Sequence, residues 1–307
     1  MNRPDWSREG PTWPNREASR FVGTRSTRWH VQIMGEGPDL LLLHGTGAST
    51  HSWAPIAPFL SRHYRLVMVD LPGHGFTRPL PGGTMQLERV VGALDELLAA
   101  LECAPACTIG HSAGAAIACR LRLESGKGGE VMALNGALAP LVRHAPSLPA
   151  SLLRPFMVNP LLPRILSAHA SDRTVGRLLD GTGSHIPRTQ RELYRRLFSY
   201  SGHLEGTLAM MADWDLESVR RDLDRLPGPL HLLAGEGDRF IPASQSRRIA
   251  REVGGARFVS LGRLGHLAHE EAPEQVAEAV LSSLPDRHRD ITGENSGGET
   301  AKARSAR

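Results

Sequence analysis

The chain has 307 residues, 40% of them hydrophobic but only 5% aromatic, and a formal net charge of +4. That length suits one large α/β domain with an insertion, or two modest domains. The positive residues are almost all arginine, with Lys127 and Lys302 the only lysines, and they are scattered rather than clustered. Together with the shortage of aromatics, this argues against a nucleic-acid partner and against a stacking platform for sugars or single strands.

Met1–Asn15 carries charges and prolines without an apolar leader core, so no secretory signal is expected. No stretch approaches the roughly 18 apolar residues of a membrane-spanning helix, and a soluble cytoplasmic protein is expected. Residues 1–18 read as an irregular arm laying Trp6 and Trp13 on the body. Short extended runs follow at Arg20–Val22 and Trp29–Met34. Asp39–Leu43 is a compact apolar run that stops at His44-Gly45, the pattern of a buried parallel strand. A short helix is expected over Ser52–Leu60, then a strand over Arg65–Val69 ended by Asp70-Leu71-Pro72-Gly73. Asp70 is expected to bond backbone amides of that turn.

Thr84 can cap a helix running to Leu101, whose apolar residues step by three and four along one face. Cys107–Ile109, Ala113–Leu123 and Glu130–Leu134 continue as strand, helix, strand. Cys103, Cys107 and Cys119 lack a second Cys/His pair for zinc and read as buried thiols. Between about Leu138 and Asp222 the strand rhythm stops and the text turns helical, broken by prolines from Pro140 to Pro187. It resumes with Leu230–Ala234, a helix over Ala243–Val253, Arg257–Leu261 and a helix over Pro273–Leu284. The alternation predicts an α/β fold with a mostly parallel, doubly wound sheet. The domain reading is an arm at 1–18, a core at 19–137 and 223–284, a helical cap at 138–222, and a disordered tail at 285–307.

Gly110-His111-Ser112-Ala113-Gly114 is a G-x-S-x-G pentapeptide placed where a strand ends and a small-residue helix begins. A nucleophile elbow needs that placement, since a sharp turn there thrusts one serine outward. A nucleophilic Ser112 needs a base and a group to orient it. Asp238 follows the strand Leu230–Ala234, and His266 follows the next strand, giving the chain order Ser…Asp…His. Glu236 is the rival acid and His269 the rival base. An oxyanion would be received by two N–H groups, from Ala113 and from Thr46 in His44-Gly45-Thr46-Gly47. That loop lacks the G-x-x-x-x-G-K-[ST] spacing of a phosphate-binding loop.

These segments together resemble the α/β-hydrolase superfamily over roughly residues 25–284. The α/β-hydrolase fold with an inserted cap is what that resemblance implies. Trp13-Pro14-Asn15-Arg16-Glu17, Trp29-His30-Val31-Gln32 and His44–Ala48 leading to His51-Ser52-Trp53 resemble, more narrowly, the BchO family. With them go Asp70–Thr77 and Gly110–Ala116. Members of that family are hydrolase-like proteins of bacteriochlorophyll synthesis, described as magnesium chelatase accessory proteins. The resemblance implies a photosynthetic bacterium, a role at the magnesium insertion step, and a place in the cytoplasm or at the periphery of photosynthetic membranes.

Two functions are therefore expected. One is a serine hydrolase of an ester, thioester or related acyl bond, using Ser112, Asp238 and His266. The other is a non-catalytic accessory protein that binds a porphyrin intermediate or a magnesium chelatase subunit. In that case Phe156, Met157, Phe198, Met210, Met211 and Trp214 would receive a macrocycle, and Arg188, Arg191, Arg195 and Arg196 its propionates. No cofactor and no dedicated metal site is expected, because the histidines lack metal-ligand spacing on a helix.

Overall fold

The structure is a computed structural model and describes residues 1–140, 159 and 161–284. Eight strands form one sheet in the order β1-β2-β4-β3-β5-β6-β7-β8. They are β1 (Ser19–Gly23), β2 (Arg28–Met34), β3 (Asp39–Leu43), β4 (Arg65–Val69), β5 (Cys107–His111), β6 (Glu130–Leu134), β7 (Leu230–Ala234) and β8 (Ala256–Ser260). β1 and β2 join antiparallel, β2 joins β4 antiparallel, and all other pairs are parallel.

Leu40 to Leu43 are all fully buried, because helices cover both faces of the sheet. Leu41 and Leu43 meet α3 (Leu87–Ala100) and α4 (Ala113–Ser125) on one face. Leu40 and Leu42 meet Trp53, α2 (Ala57–Leu60) and the helix Pro273–Ser283 on the other. Each such leucine contributes about 1.5–3 kcal/mol of burial. From β3 the chain steps to β4 on one side, then crosses back to β5 on the other. The carboxyl ends of β3 and β5 at such a reversal are the usual ligand position in open α/β sheets.

Among the described residues between β6 and β7 lie five helices: α5 (Leu161–Ala168), α6 (Asp172–Gly181), α7 (Arg188–Phe198), α8 (Ser201–Asp213) and α9 (Leu216–Asp222). They rest on the loops that leave the strand ends. His203 of α8 accepts from Gly75 N–H through Nδ1 at 3.1 Å and donates through Nε2 to Gly47 O at 3.0 Å. The Thr46 hydroxyl donates to the Met210 sulfur at 3.2 Å. Phe156 and Met157, the cap's residues 141–158 and 160, and the tail 285–307 fall outside the described residues.

Three local expectations change. The arm is helical rather than irregular: Asp5 caps α1 (Trp6–Glu9) by accepting from Ser7 N–H, and 3-10 turns follow. Its indoles do pack down, Trp6 edge-on to Phe21 and Phe76 and Trp13 edge-on to Phe76. The segment Ser52–Leu60 is two short turns, Thr50–Trp53 and α2, because Pro55 and Pro58 cannot supply N–H groups to a continuous helix. Thr84 is extended and does not cap α3, which starts after Gln86. Its hydroxyl instead accepts from Gln86 N–H and reaches Asp213 in the cap.

Candidate active site

Ser112 occupies the junction of β5 and α4 with φ 50° and ψ −116°, a left-handed conformation that side chains other than glycine rarely adopt. Such strain persists only where the surroundings hold it. Here Ser112 N–H donates to Leu134 O at 3.1 Å, and Ser112 O accepts from Ala115 and Ala137 N–H at 3.2 and 2.9 Å. The flanking glycines are required by close approach. A Cβ on Gly110 would lie 2.3 Å from Ala115 N, and one on Gly114 2.2 Å from Leu43 O. The sharp turn and the tight seat of α4 on β3 thus follow from the residue types in the pentapeptide.

His266 and Asp238 are brought together from the loops after β8 and β7. His266 Nδ1 donates to Asp238 Oδ2 at 2.8 Å. The same oxygen accepts from Asn135 Nδ2 at 2.8 Å, while Oδ1 accepts from Phe240 and Ile241 N–H, both at 2.8 Å. All four lone-pair directions of the carboxylate are therefore used. With Nδ1 carrying the hydrogen, His266 Nε2 keeps its lone pair. His111, the residue before Ser112, donates from Nε2 to His266 O at 2.9 Å, and the two rings lie 4.8 Å apart. The loop that carries His266 is thereby fixed beside the elbow. No hydrogen bond joins the Ser112 hydroxyl to His266 among the described residues.

The loop after β3 runs alongside: a Cβ on Gly45 would lie 2.9 Å from Ser112 Cβ. Among the described residues, neither Thr46 N–H nor Ala113 N–H is taken by a backbone or side-chain acceptor. Ala113 also begins a 13-residue helix, whose N-terminal end favours negative charge.

The two rivals are occupied elsewhere. Glu236 pairs with Arg247 and accepts from Ser260 at the surface. His269 is fully buried and meets Ser52 Oγ at 2.8 Å through Nε2. Burial, then the neighbouring His266, pushes its pKa down to about 3. Asp70 accepts from Thr50 and Phe76 N–H at 2.7 and 2.9 Å and from His30 Nδ1 at 2.8 Å. Burial alone would raise its carboxyl, but these donors hold it well below the usual range. Burial pushes the Cys103 and Cys119 thiols up to about 12, and all three cysteines are free.

Sequence reasoning passed over Asn135, left-handed at φ 47° just after β6. Its signal was an Asn-Gly pair at a strand's carboxyl end, the position shared by Asp238 and His266. It also passed over Glu270, whose Oε1 accepts from Ser52 Oγ at 2.6 Å and from Tyr194 OH of α7 at 2.7 Å. Burial raises that carboxyl to about 7 against the two donors.

Of the residues expected to meet a macrocycle, Met210 is buried, Phe198 half-buried and Met211 exposed. Trp214 donates Nε1 to Met85 O at 2.7 Å. Arg191 pairs with Asp180, Arg195 with Asp172 and Glu192, and Arg196 with Glu9, so these three guanidinium groups already face carboxylates. Clefts of about 330 and 320 Å³ lie beside Arg89 and beside Glu205, and neither is lined by Ser112. No group of three metal-ligating side chains occurs among the described residues. No helix there is long and apolar enough to cross a membrane.

A strained serine at a strand–helix elbow, on a sheet that switches at β3 and β5, is matched by comparison. The family model for the alpha/beta hydrolase family covers residues 40–279. The chain belongs to that family. It is 36% identical over 277 residues to the magnesium-chelatase 30 kDa subunit of Rhodobacter capsulatus, spanning 89% of this chain and 96% of that one. It is 30% identical over 271 residues to the pimeloyl-[acyl-carrier protein] methyl ester esterase of Xanthomonas oryzae, spanning 83% and 100%. Among solved structures it resembles a hydrolase from Pseudomonas aeruginosa, with TM-score 0.69 and 27% identity over 86% of this chain and 97% of that one. An esterase from Exiguobacterium antarcticum shares the fold at TM-score 0.70 and 16% identity, over 86% and 98%.

Proposed function

We propose that this α/β hydrolase is a serine hydrolase of a carboxylic ester or related acyl bond, acting beside magnesium insertion in bacteriochlorophyll synthesis. The observation that carries the chemistry is the strained, left-handed Ser112 at the elbow. At a nucleophile elbow such a backbone would thrust the serine hydroxyl out of the turn. His266 Nε2 takes the Ser112 proton as Oγ attacks the acyl carbon. Asp238 holds the Nδ1–H tautomer and stabilises the imidazolium that forms. The Thr46 and Ala113 N–H groups receive the developing oxyanion. His266 then returns the proton to the leaving alcohol, and water clears the acyl-enzyme by the same route.

The esterase relative supports an ester substrate, and the magnesium-chelatase relative supports the pathway. The latter likeness also favours a second reading, an accessory protein that binds a porphyrin intermediate or a chelatase subunit without turnover. A fluorophosphonate probe separates the two. Stoichiometric labelling that disappears in Ser112→Ala is the expected result. An unlabelled wild-type protein that also fails to hydrolyse p-nitrophenyl esters would leave the accessory reading.

A further inference from the structure

The cap turn Thr182-Gly183-Ser184 touches both loops that carry the acid and the base. Thr182 ends α6, and Gly183 takes the left-handed conformation at φ 80° that commonly closes a helix. The contacts beyond that are not needed for closing a helix. The Thr182 carbonyl accepts from His266 N–H and from Arg239 N–H, each at 3.2 Å. One main-chain oxygen therefore joins the base itself to the residue after Asp238. Ser184 Oγ accepts from Leu267 N–H at 2.8 Å, next to the base on its other side.

Packing at this junction leaves no slack. A Cβ on Gly183 would lie 2.2 Å from Gly237 O, and one on Gly265 2.4 Å from Gly183 C and Ser184 N. Thr182 and Ser184 are 4% and 1% exposed, so water cannot replace a lost partner cheaply. Ser184 is itself held, its N–H donating to Thr182 Oγ1 at 3.2 Å while that hydroxyl donates to Leu179 O at 2.5 Å.

We propose that Thr182–Ser184 is a positioning element that sets the Asp238–His266 pair, with Ser184 its principal positioning side chain. The cap is then part of the catalytic geometry and not only a cover for it. Thr182 O orients His266 from its N–H side and His111 from its carbonyl side, so the imidazole is aimed by one group from the cap and one from the elbow. The functional half of this proposal rests on the serine-hydrolase reading; the structural half does not.

The test compares wild type, Ser184→Ala and, as a control, Arg173→Ala on the exposed side of the same helix. Ser184→Ala is expected to speed amide exchange in both 237–241 and 265–268. It should also slow fluorophosphonate labelling and kcat for p-nitrophenyl acetate about tenfold or more, with KM nearly unchanged, since small misplacement of a catalytic group costs this much. Arg173→Ala should alter neither. Exchange that rises only around Leu267, or nowhere, would overturn the proposal, as would labelling at the wild-type rate. If wild type itself takes no label, the serine-hydrolase reading falls, and the exchange data still decide whether the turn joins the two loops.

Discussion

His266 and His269 stand three residues apart, His266 in the loop after β8 and His269 in the short helix Ala268–Glu271 that follows, each next to a carboxylic acid, in opposite surroundings. His266 donates to a carboxylate whose remaining positions are filled by Asn135 and two backbone amides. In the proposed reaction that carboxylate would stabilise an imidazolium. His269 has Ser52 as its hydrogen-bond partner, a buried Nδ1 with no partner, and a Glu270 oxygen only at 3.9 Å. Its neutral form is enforced by burial, while the proton near neutrality belongs to Glu270. A histidine and a carboxylic acid are thus hydrogen-bonded to each other in one place and joined only through a serine in the other. What separates them is the number of donors facing the carboxyl group, four at Asp238 and two at Glu270.

Exchanging the histidines breaks the comparison most sharply. His266→Ala is expected to lower ester hydrolysis by ~10⁴-fold or more while leaving the thermal midpoint within a few degrees. His269→Ala should retain most activity per folded molecule yet lose about 2–4 kcal/mol of stability, from the cavity and the stranded Ser52 hydroxyl. Steady-state kinetics and denaturant unfolding on both variants decide this. Equal loss of activity would mean that the two sites work as one.

Glu270 sharpens the contrast through pH. Its carboxyl is raised from 4.5 to about 7, so the folded state binds the proton more tightly than the unfolded chain. Below about pH 4.5 both states hold it and nothing is lost. Stability should fall as pH rises from there to about 7 and stay level above, by on the order of 1–3 kcal/mol. Unfolding of wild type and Glu270→Gln at pH 5 and pH 8 measures it. The variant should gain on wild type at the higher pH, and parallel curves would refute the assignment.

The smallest effect is expected at the arm, where Glu9 receives Arg196 and accepts from Tyr200 OH at 2.6 Å while Asn2 O accepts from Gly202 N–H at 2.7 Å. These contacts tie α7 and α8 to the arm, and none of them involves the His266 loop. Glu9→Gln should cost only ~1 kcal/mol, as partly exposed pairs do, and leave kcat unchanged. Loss of turnover in this variant would show that the arm, like the cap turn, bears on the reaction.

Much of this molecule was legible in the chain because local chemistry dictated it. Apolar runs such as Asp39–Leu43, Arg65–Val69 and Glu130–Leu134 match their strands residue for residue, since strands covered on both faces need no polar position. Glycines at 110 and 114 announced a turn that tolerates no Cβ. Chain order alone set Asp238 and His266 at successive strand ends. Only the tertiary structure decided what those ends meet. Thr84 satisfies Asp213 of the cap rather than its own helix, and the arm coils because the cap offers it partners. Asn135, Glu270 and the Thr182–Ser184 turn act through groups between 57 and 218 positions away. Hydrogen bonds of that span depend on how loops and cap close over the sheet, and no local pattern of residues encodes it.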